Sequence, residues 1–401
     1  MLKPKCLEGM RVLELSQFIS APYTCQTLAD FGADVIKIEL PGEGRGDIAR
    51  KYDPMYKDMS LYFASYNRNK KFVTLNLKSE EGKKIFLDLV RESDVVVENF
   101  RPGVMDKMGV GYDVLKKTNP AIILASLSGF GQEGPMRNRQ ALDMSIQALC
   151  GIMDITGPED GPPTKVGPVL VDFIGGIYLL VGILAAYSCC QRTGMGQHID
   201  IALYDAMFVL MENYPAIYRM TGEVPRRVGN GRPFSSPTNT FKAKDGKWIQ
   251  ISGTAEMHFE KLITMVGHPE YIGLPNTIGA ENRRKNANKM LEDAIQEWAG
   301  TVTAQEAADA LDQIGVPNAV VKTAKEVFDD PQIAYRNMLI CPEDSVLDDI
   351  PTVGNPIKLS ATPAEFHRSA KPSGFDTDSV LQTLLGMSAE AVAELREKNI
   401  V

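Results

Sequence analysis

Apolar positions in the first third of the chain fall into short unbroken runs separated by stretches of helical periodicity. Residues 11–15, 34–38, 72–75, 95–97 and 122–127 read as buried strands. Between them, Pro22 opens a helix that Gly32 closes, since proline suits a first turn and glycine the residue past the last. Ser79 starts another helix, in which Ile85, Phe86, Leu89 and Val90 share one face, and a helical stretch covers 104–117. Strands alternating with helices predict βαβ units and a mostly parallel sheet, so this half is α/β. Farther on, 173–190 predicts a long helix buried on all sides, and 194–219 a second long helix. Residues 241–253 predict a hairpin turning at Asp245-Gly246, followed by helical segments at 258–266 and 287–314, which suits a smaller α+β domain. A final helix is expected over 388–398.

Charge and composition narrow the function classes. The 401 residues carry a formal net charge of -8, whereas a general nucleic-acid binder carries a clustered basic excess. Six cysteines are scattered without a Cys-x-x-Cys pair, and the four histidines lack ligand spacing, so no metal site is expected. Unpaired thiols in a chain of this length suit a reducing, cytoplasmic compartment. The first residues are basic with no apolar stretch behind them, which is not a secretory signal. Within 166–190 the only charge is Asp172. Pro168, Gly175-Gly176 and the roughly 2.5–3.5 kcal/mol that an acid costs at membrane depth argue for a core helix over a membrane span.

That isolated carboxylate is the first candidate for chemistry. At a helix N-terminus the free N–H groups favour its anion, while burial disfavours the charge. A poorly solvated but ionised carboxylate suits a nucleophile; a plain N-cap is the other reading of the same feature. The loop 41–47, with alternating glycines and Arg45, can present N–H groups to a phosphate or be a surface loop. It follows the second strand, so it is not a dinucleotide fingerprint. Gly129, Gly131 and Gly134 follow the strand ending at Leu127, where ligands of parallel sheets bind. Arg68, Lys70 and Lys71 form a short cationic run, either a solvated face or a phosphate contact. No Gly-x-Ser-x-Gly elbow occurs, which leaves hydrolase triads without support.

Several stretches, in order and spacing, resemble the class III CoA-transferases, the family of formyl-CoA transferase and carnitine CoA-transferase. They are 13–21 with Gln17, 32–39 ending in Glu39, 67–71, Glu98-Asn99-Phe100-Arg101-Pro102-Gly103 with Met108-Gly109, 126–131, Asp172-Phe173-Ile174-Gly175-Gly176, and 196–200. The resemblance implies a Rossmann-like large domain from 1–195 and 331–401, a linker helix at 196–225 and a small domain at 226–330, in an interlocked homodimer. It further implies that Asp172 is the covalent nucleophile and that Gln17 stabilises the developing oxyanion. Asn99, Phe100, Lys107 and Met108 would line coenzyme A, with Glu39, Arg45, Lys71, Arg101, Ser128 and Gly129 as further contacts. The substrates would be a CoA thioester and a carboxylic acid, with no permanently bound cofactor and neither nucleic acid nor membrane as partner. Residues 130–148 and 229–239 would wall the acceptor pocket, where Arg137, Arg139 and Arg232 are candidates to dock a carboxylate.

Three departures and two rivals belong to this reading. The lysine that formyl-CoA transferase has two residues before its first loop glycine is not reproduced, since this chain has Leu127-Ser128-Gly129. Leu40 stands where formyl-CoA transferase has an arginine, for which Arg45 or Arg50 would substitute, and Ser252-Gly253-Thr254 abbreviates its glycine loop. Acyl-CoA racemases of the same superfamily need a histidine before an aspartate. Here the pair is Leu142-Asp143, and leucine cannot transfer a proton. The second rival is a non-catalytic CoA-binding subunit, against which the retained Asp172 and Gln17 speak.

Overall fold

The computed structural model of the chain describes residues 5–42 and 44–401, which leaves Glu43 of the glycine-bearing loop outside the described residues. It divides into two compact units. The larger gathers the described residues up to Cys150 with Gly167–Leu210 and Pro331–Val401; the smaller gathers Gly151–Val166 with Met211–Asp330.

Six runs form one sheet in the larger unit: β1 (Arg11–Glu14), β2 (Asp34–Glu39), β3 (Lys71–Thr74), β4 (Val95–Glu98), β5 (Ile123–Ser128) and β6 (His198–Ala202). Their order is β3-β2-β1-β4-β5-β6, and every neighbouring pair is parallel. Helices covering both faces of such a sheet explain why strands like Val95-Val96-Val97, fully buried, are apolar without alternation. Strand order reverses between β1 and β4, and open parallel sheets bind ligands outside the carboxyl ends of strands at such a point.

The principal helices of this unit are α1 (Ser20–Asp30), α2 (Glu80–Arg91), α3 (Asp143–Leu149), α4 (Leu170–Thr193) and α5 (Leu203–Phe208). α2 begins as expected, the Ser79 hydroxyl accepting the Gly82 N–H. α4 packs against α1, α5, β5 and β6. Gly175 and Gly176 permit that closeness: a Cβ at 176 would stand 2.6 Å from the Ser20 carbonyl oxygen, and one at 175 2.3 Å from the Leu203 side chain. Thr24 Oγ1 donates to the Gly176 carbonyl at 2.7 Å across the same contact.

Three expectations are corrected here. α4 is not buried on all sides, because Ile177, Tyr178, Val181 and Leu184, spaced one turn apart, are exposed. It is long and apolar enough to cross a membrane by length and composition, and its opposite face is a packing face inside the unit. Residues 194–219 do not form one helix. Gly194 ends α4 with φ 71°, and His-Ile-Asp-Ile-Ala, which alternates with period two, pairs with β5 as β6. Only α5, a turn at Val209–Met211 and Tyr214–Thr221 are helical after it. Because β6 belongs to the sheet, residues 196–210 stay with the larger unit instead of forming a linker helix, and the division falls after Leu210. The stretch 104–117 is likewise two short pieces, Val104–Lys107 and Tyr112–Thr118.

The smaller unit holds the predicted hairpin, β7 (Thr238–Lys242) and β8 (Trp248–Ser252), with β9 (Asn318–Val320) antiparallel to β8. Against it lie α6 (Glu256–Met265), α7 (Asn288–Ala299) and α8 (Ala304–Ile314), around a core of Phe241, Ile251, Phe259, Leu291 and Leu311. A capping box of Thr303 and Glu306 starts α8, so 287–314 is two helices. The chain then returns to the larger unit as α9 (Thr377–Leu385) and α10 (Ala389–Glu397). There the Phe72 N–H donates to Asp376 Oδ2 at 2.8 Å, and Val380, Leu381 and Leu395 join the core around Phe86 and Leu89.

Candidate active site

Asp172 sits in the first turn of α4, half-buried, with Val169 as the capping position, so the N-cap reading of its carboxylate does not hold. The Val171 N–H instead donates to Asp143 Oδ2 at 2.8 Å, which makes Asp143 the acid that satisfies the start of the helix. Burial pushes the Asp172 carboxyl up to about 6; the Ser20 hydroxyl, donating to it, opposes the rise, and neighbouring Asp143 adds to it. No cation pairs with Asp172 among the described residues. A row of rings leads to it: Phe18 meets Tyr52 at 5.6 Å, Tyr52 meets Tyr62 at 5.4 Å, Tyr62 meets Tyr66 at 5.7 Å and Tyr66 meets Phe173 at 6.1 Å. Burial first, and the Asp172 charge with it, push the Tyr62 and Tyr66 hydroxyls above their ordinary range.

A groove of 190 Å³ opens at the switch point, lined by Gln17, Leu40, Arg45, Asp47, Lys78, Phe100 and Met108 among others. Its two sides are fastened by a reciprocal amide pair. The Gln17 N–H donates to Asn99 Oδ1 at 2.9 Å, and Asn99 Nδ2 donates to the Gln17 carbonyl at 2.8 Å. The next N–H, that of Phe100, donates to Glu98 Oε2 at 2.6 Å. Burial pushes the Glu98 carboxyl up to about 7, against the opposing hydrogen bonds from Ser126 and Phe100. Ser126 Oγ is in turn 2.9 Å from His198 Nε2.

Beneath Gln17 lies a buried ion network. Lys37 Nζ is 2.8 Å from Glu14 and 3.0 Å from Asp47, and Lys70 Nζ is 2.7 Å from the other Glu14 oxygen. Lys37 is held charged by its two partners against the penalty of burial, whereas burial moves Lys70, which has one carboxylate beside it, Glu14, and two neutral acceptors, the Pro22 carbonyl and Asn67 Oδ1, downward. Asp47 Oδ1 also accepts the Phe18 N–H at 3.2 Å and the Ala49 N–H at 3.0 Å.

Residues 7–377 match the family model described as CoA-transferase family III. The chain belongs to that family. The acetyl-CoA:oxalate CoA-transferase of Acetobacter aceti is 38% identical over 372 residues, 92% of this chain and 93% of that one. The succinyl-CoA–D-citramalate CoA-transferase of Chloroflexus aurantiacus is 35% identical over 399 residues, 99% and 98% of the two chains. Among solved structures, a CaiB/BaiF family protein of Brucella suis superimposes with a TM-score of 0.82 at 34% identity, covering 95% of this chain and 99% of that one.

In this CoA-transferase the predicted contact residues divide into four sets. Gln17, Glu39, Arg45, Phe100 and Met108 line the groove, with Asn99 fastened behind Gln17. The Glu39 carboxylate is taken up internally, by Arg50 at 2.6 and 2.8 Å and by the Asp47 N–H at 2.8 Å. Arg50 is thereby occupied, which leaves Arg45, exposed and without an ion pair among the described residues, as the basic group next to Leu40. Arg101 and Lys107 are exposed, on the loop after β4 and on the short helix that follows it. Ser128, buried at the end of β5, has a hydroxyl without a hydrogen-bond partner among the described residues, while Gly129 is required for close packing, since a Cβ there would stand 2.2 Å from that of Ala141.

Lys71 is not brought to the groove. It opens β3, so it lies at the end of the sheet away from the carboxyl termini, and pairs with Asp34 at 2.6 Å. Its neighbours Arg68 and Lys70 are buried and pair with Asp30 and Glu14 at 2.7 Å each, so these two residues of the run do not form a solvated face. Lys78, exposed and on the groove wall, is the basic residue that sequence reasoning missed; its place after a strand and ahead of the Ser79 cap was the available signal. Of the acceptor arginines, Arg137 lies near Gly103 of the loop following β4, and Arg139 is exposed; Arg232 belongs to the smaller unit.

Proposed function

We propose that the enzyme moves coenzyme A from an acyl-CoA to a short dicarboxylic acid through covalent chemistry on Asp172. The observation that carries the reading is a half-buried carboxylate with no paired cation among the described residues, whose pKa near 6 leaves it ionised at neutral pH yet poorly solvated. An Asp172 oxygen attacks the thioester carbonyl, the C–S bond breaks, and CoA thiolate leaves a mixed anhydride. The thiolate attacks the Asp172 acyl carbon of that anhydride, expelling the donor carboxylate and forming an aspartyl-CoA thioester. The acceptor carboxylate then repeats both steps in reverse, which returns Asp172 as carboxylate with no net proton. Gln17, on the groove wall, supplies an amide donor for the oxyanion, and Arg45 and Phe100 of the groove, with the exposed Arg101 and Lys107, hold the CoA.

Intact-mass spectrometry after incubation with acyl-CoA alone tests this: a CoA adduct is expected on the wild type and none on D172N. Equal adduct on both proteins overturns the assignment. Oxalate and D-citramalate in the relatives' names are dicarboxylic acids, which supports an acceptor with a second carboxylate. Replacing Arg137, Arg139 and Arg232 singly by Gln should raise the acceptor KM in at least one case; three unchanged values would favour an apolar acid. The same reading includes a cytoplasmic, interlocked homodimer, supported by the exposed apolar row Ile177, Tyr178, Val181 and Leu184 on α4. Sedimentation at the mass of one chain would overturn the dimer.

A further inference from the structure

The segment from Ser16 to Ser20 joins the groove to the nucleophile: Gln17 lines the former, and the hydroxyl of Ser20 donates to Asp172. Between them Phe18 has φ 65°, in the left-handed region. That conformation is a true outlier for a bulky aromatic residue, and it persists only where the surroundings hold it. Asn99 fastens the Gln17 backbone before Phe18, the Tyr52 ring meets the Phe18 ring, and Asp47 takes the Phe18 N–H. The Phe18 N–H, turned by that φ, donates to Asp47 Oδ1 at 3.2 Å. Asp47 is itself fixed: it is 3% exposed, its second oxygen is 3.0 Å from Lys37, and its own N–H donates to Glu39 at 2.8 Å.

We propose that Asp47 is a positioning residue for CoA transfer: its carboxylate holds Phe18 in the left-handed region and thereby sets Gln17 on the groove wall and Ser20 against Asp172. The proposal rests on the roles given above to Gln17 and Asp172. It also links the two loops at the carboxyl ends of β1 and β2, because Asp47 ends the glycine-bearing loop that carries Arg45. A catalytic segment held this way keeps its geometry through a strained backbone that this carboxylate helps to impose.

Glycine adopts positive φ without support, so Phe18→Gly separates this role from the ion pair with Lys37. The experiment compares kcat, acyl-CoA KM and thermal midpoint for the wild type, D47A, F18G, the double variant and Q17A. D47A is expected to lower kcat about tenfold, with acyl-CoA KM changed less than about twofold. With glycine at 18 the same change should cost less than about twofold in kcat, while the thermal midpoint falls in both backgrounds because Lys37 loses a partner. Undiminished kcat in D47A, or an equal penalty in both backgrounds, overturns the proposal. Should D47A fail to fold, D47N serves. It keeps the acceptor toward Phe18 but sets an amide against Lys37, so it should lose stability and stay within about threefold of wild-type kcat; a tenfold loss there overturns the proposal. Q17A keeps the two readings apart. A slow Q17A beside a fast D47A removes only the positioning role, whereas a Q17A with wild-type kcat removes the role of Gln17 and the proposal with it.

Discussion

Two buried groups of charge in the larger unit solve the same electrostatic problem in opposite ways. Around Glu14, two lysines and two carboxylates neutralise one another at 2.7–3.0 Å, and the side chains of Glu14, Lys37 and Lys70 are completely buried. Around Asp172 there is no cation among the described residues, only a serine hydroxyl, a second acid and rings. The paired set is locked and cannot react without unpairing a buried charge. The unpaired carboxylate retains its lone pairs, and its raised pKa records the solvation it has lost. On the proposed mechanism, the difference teaches that the larger unit withholds a counter-charge at Asp172 while supplying it in full at Glu14.

The most direct way to break the comparison is to remove the unpaired charge. D172N is expected to lower kcat at least ~10³-fold with the fold intact, measured by steady-state transfer and circular dichroism. Next comes the paired set. Lys70→Ala leaves a Glu14 oxygen buried and unmatched, and should lower the unfolding free energy by about 3–5 kcal/mol in urea titration. A loss under about 1 kcal/mol would mean that water reaches the site and that the two regions are not opposites.

Titration sharpens the contrast. The turnover rate should rise as pH passes about 6, where Asp172 ionises, and level off above it. The stability effect has the opposite sense. A carboxyl raised in the folded state contributes stability that is present below its unfolded pKa and lost as pH rises through about 6. D172N should therefore exceed the wild type by roughly 1–2 kcal/mol at pH 8, allowing for partial exposure, and lose that advantage near pH 4. Smallest of all, Arg45→Ala should raise the acyl-CoA KM about tenfold, the worth of one charge-assisted phosphate contact, with little change in kcat. An unchanged KM would take Arg45 out of CoA binding.

The sheet was legible because fully buried parallel strands carry their burial in unbroken apolar runs, and Asp172 because a lone charge interrupts such a run. β6 was hidden by its composition: alternation over five residues is brief, and the flanking residues suit helices. The cationic run at 68–71 could not be read from its own neighbourhood. Its partners Asp30, Glu14 and Asp34 are distant in sequence; the parallel registry of β1, β2 and β3 brings Glu14 and Asp34 close, and Asp30 arrives at the end of α1. Asp143 entered the sequence argument only through the residue before it; its bond to Val171 depends on the approach of α3 to α4. The exposed row on α4 escaped because composition alone does not tell a core helix from one whose far side is open.

The return of the chain to the larger unit has a consequence for synthesis. Phe72 on the edge strand donates to Asp376, a partner 304 positions later, and the whole smaller unit is made between them. A ribosome adding about 5–20 residues per second leaves that edge without its cover for a quarter of a minute or longer. Through that interval an unpaired strand beside apolar surface is open to mispairing with other nascent chains. The growing polypeptide thus has reason to engage a chaperone well before its last helices emerge.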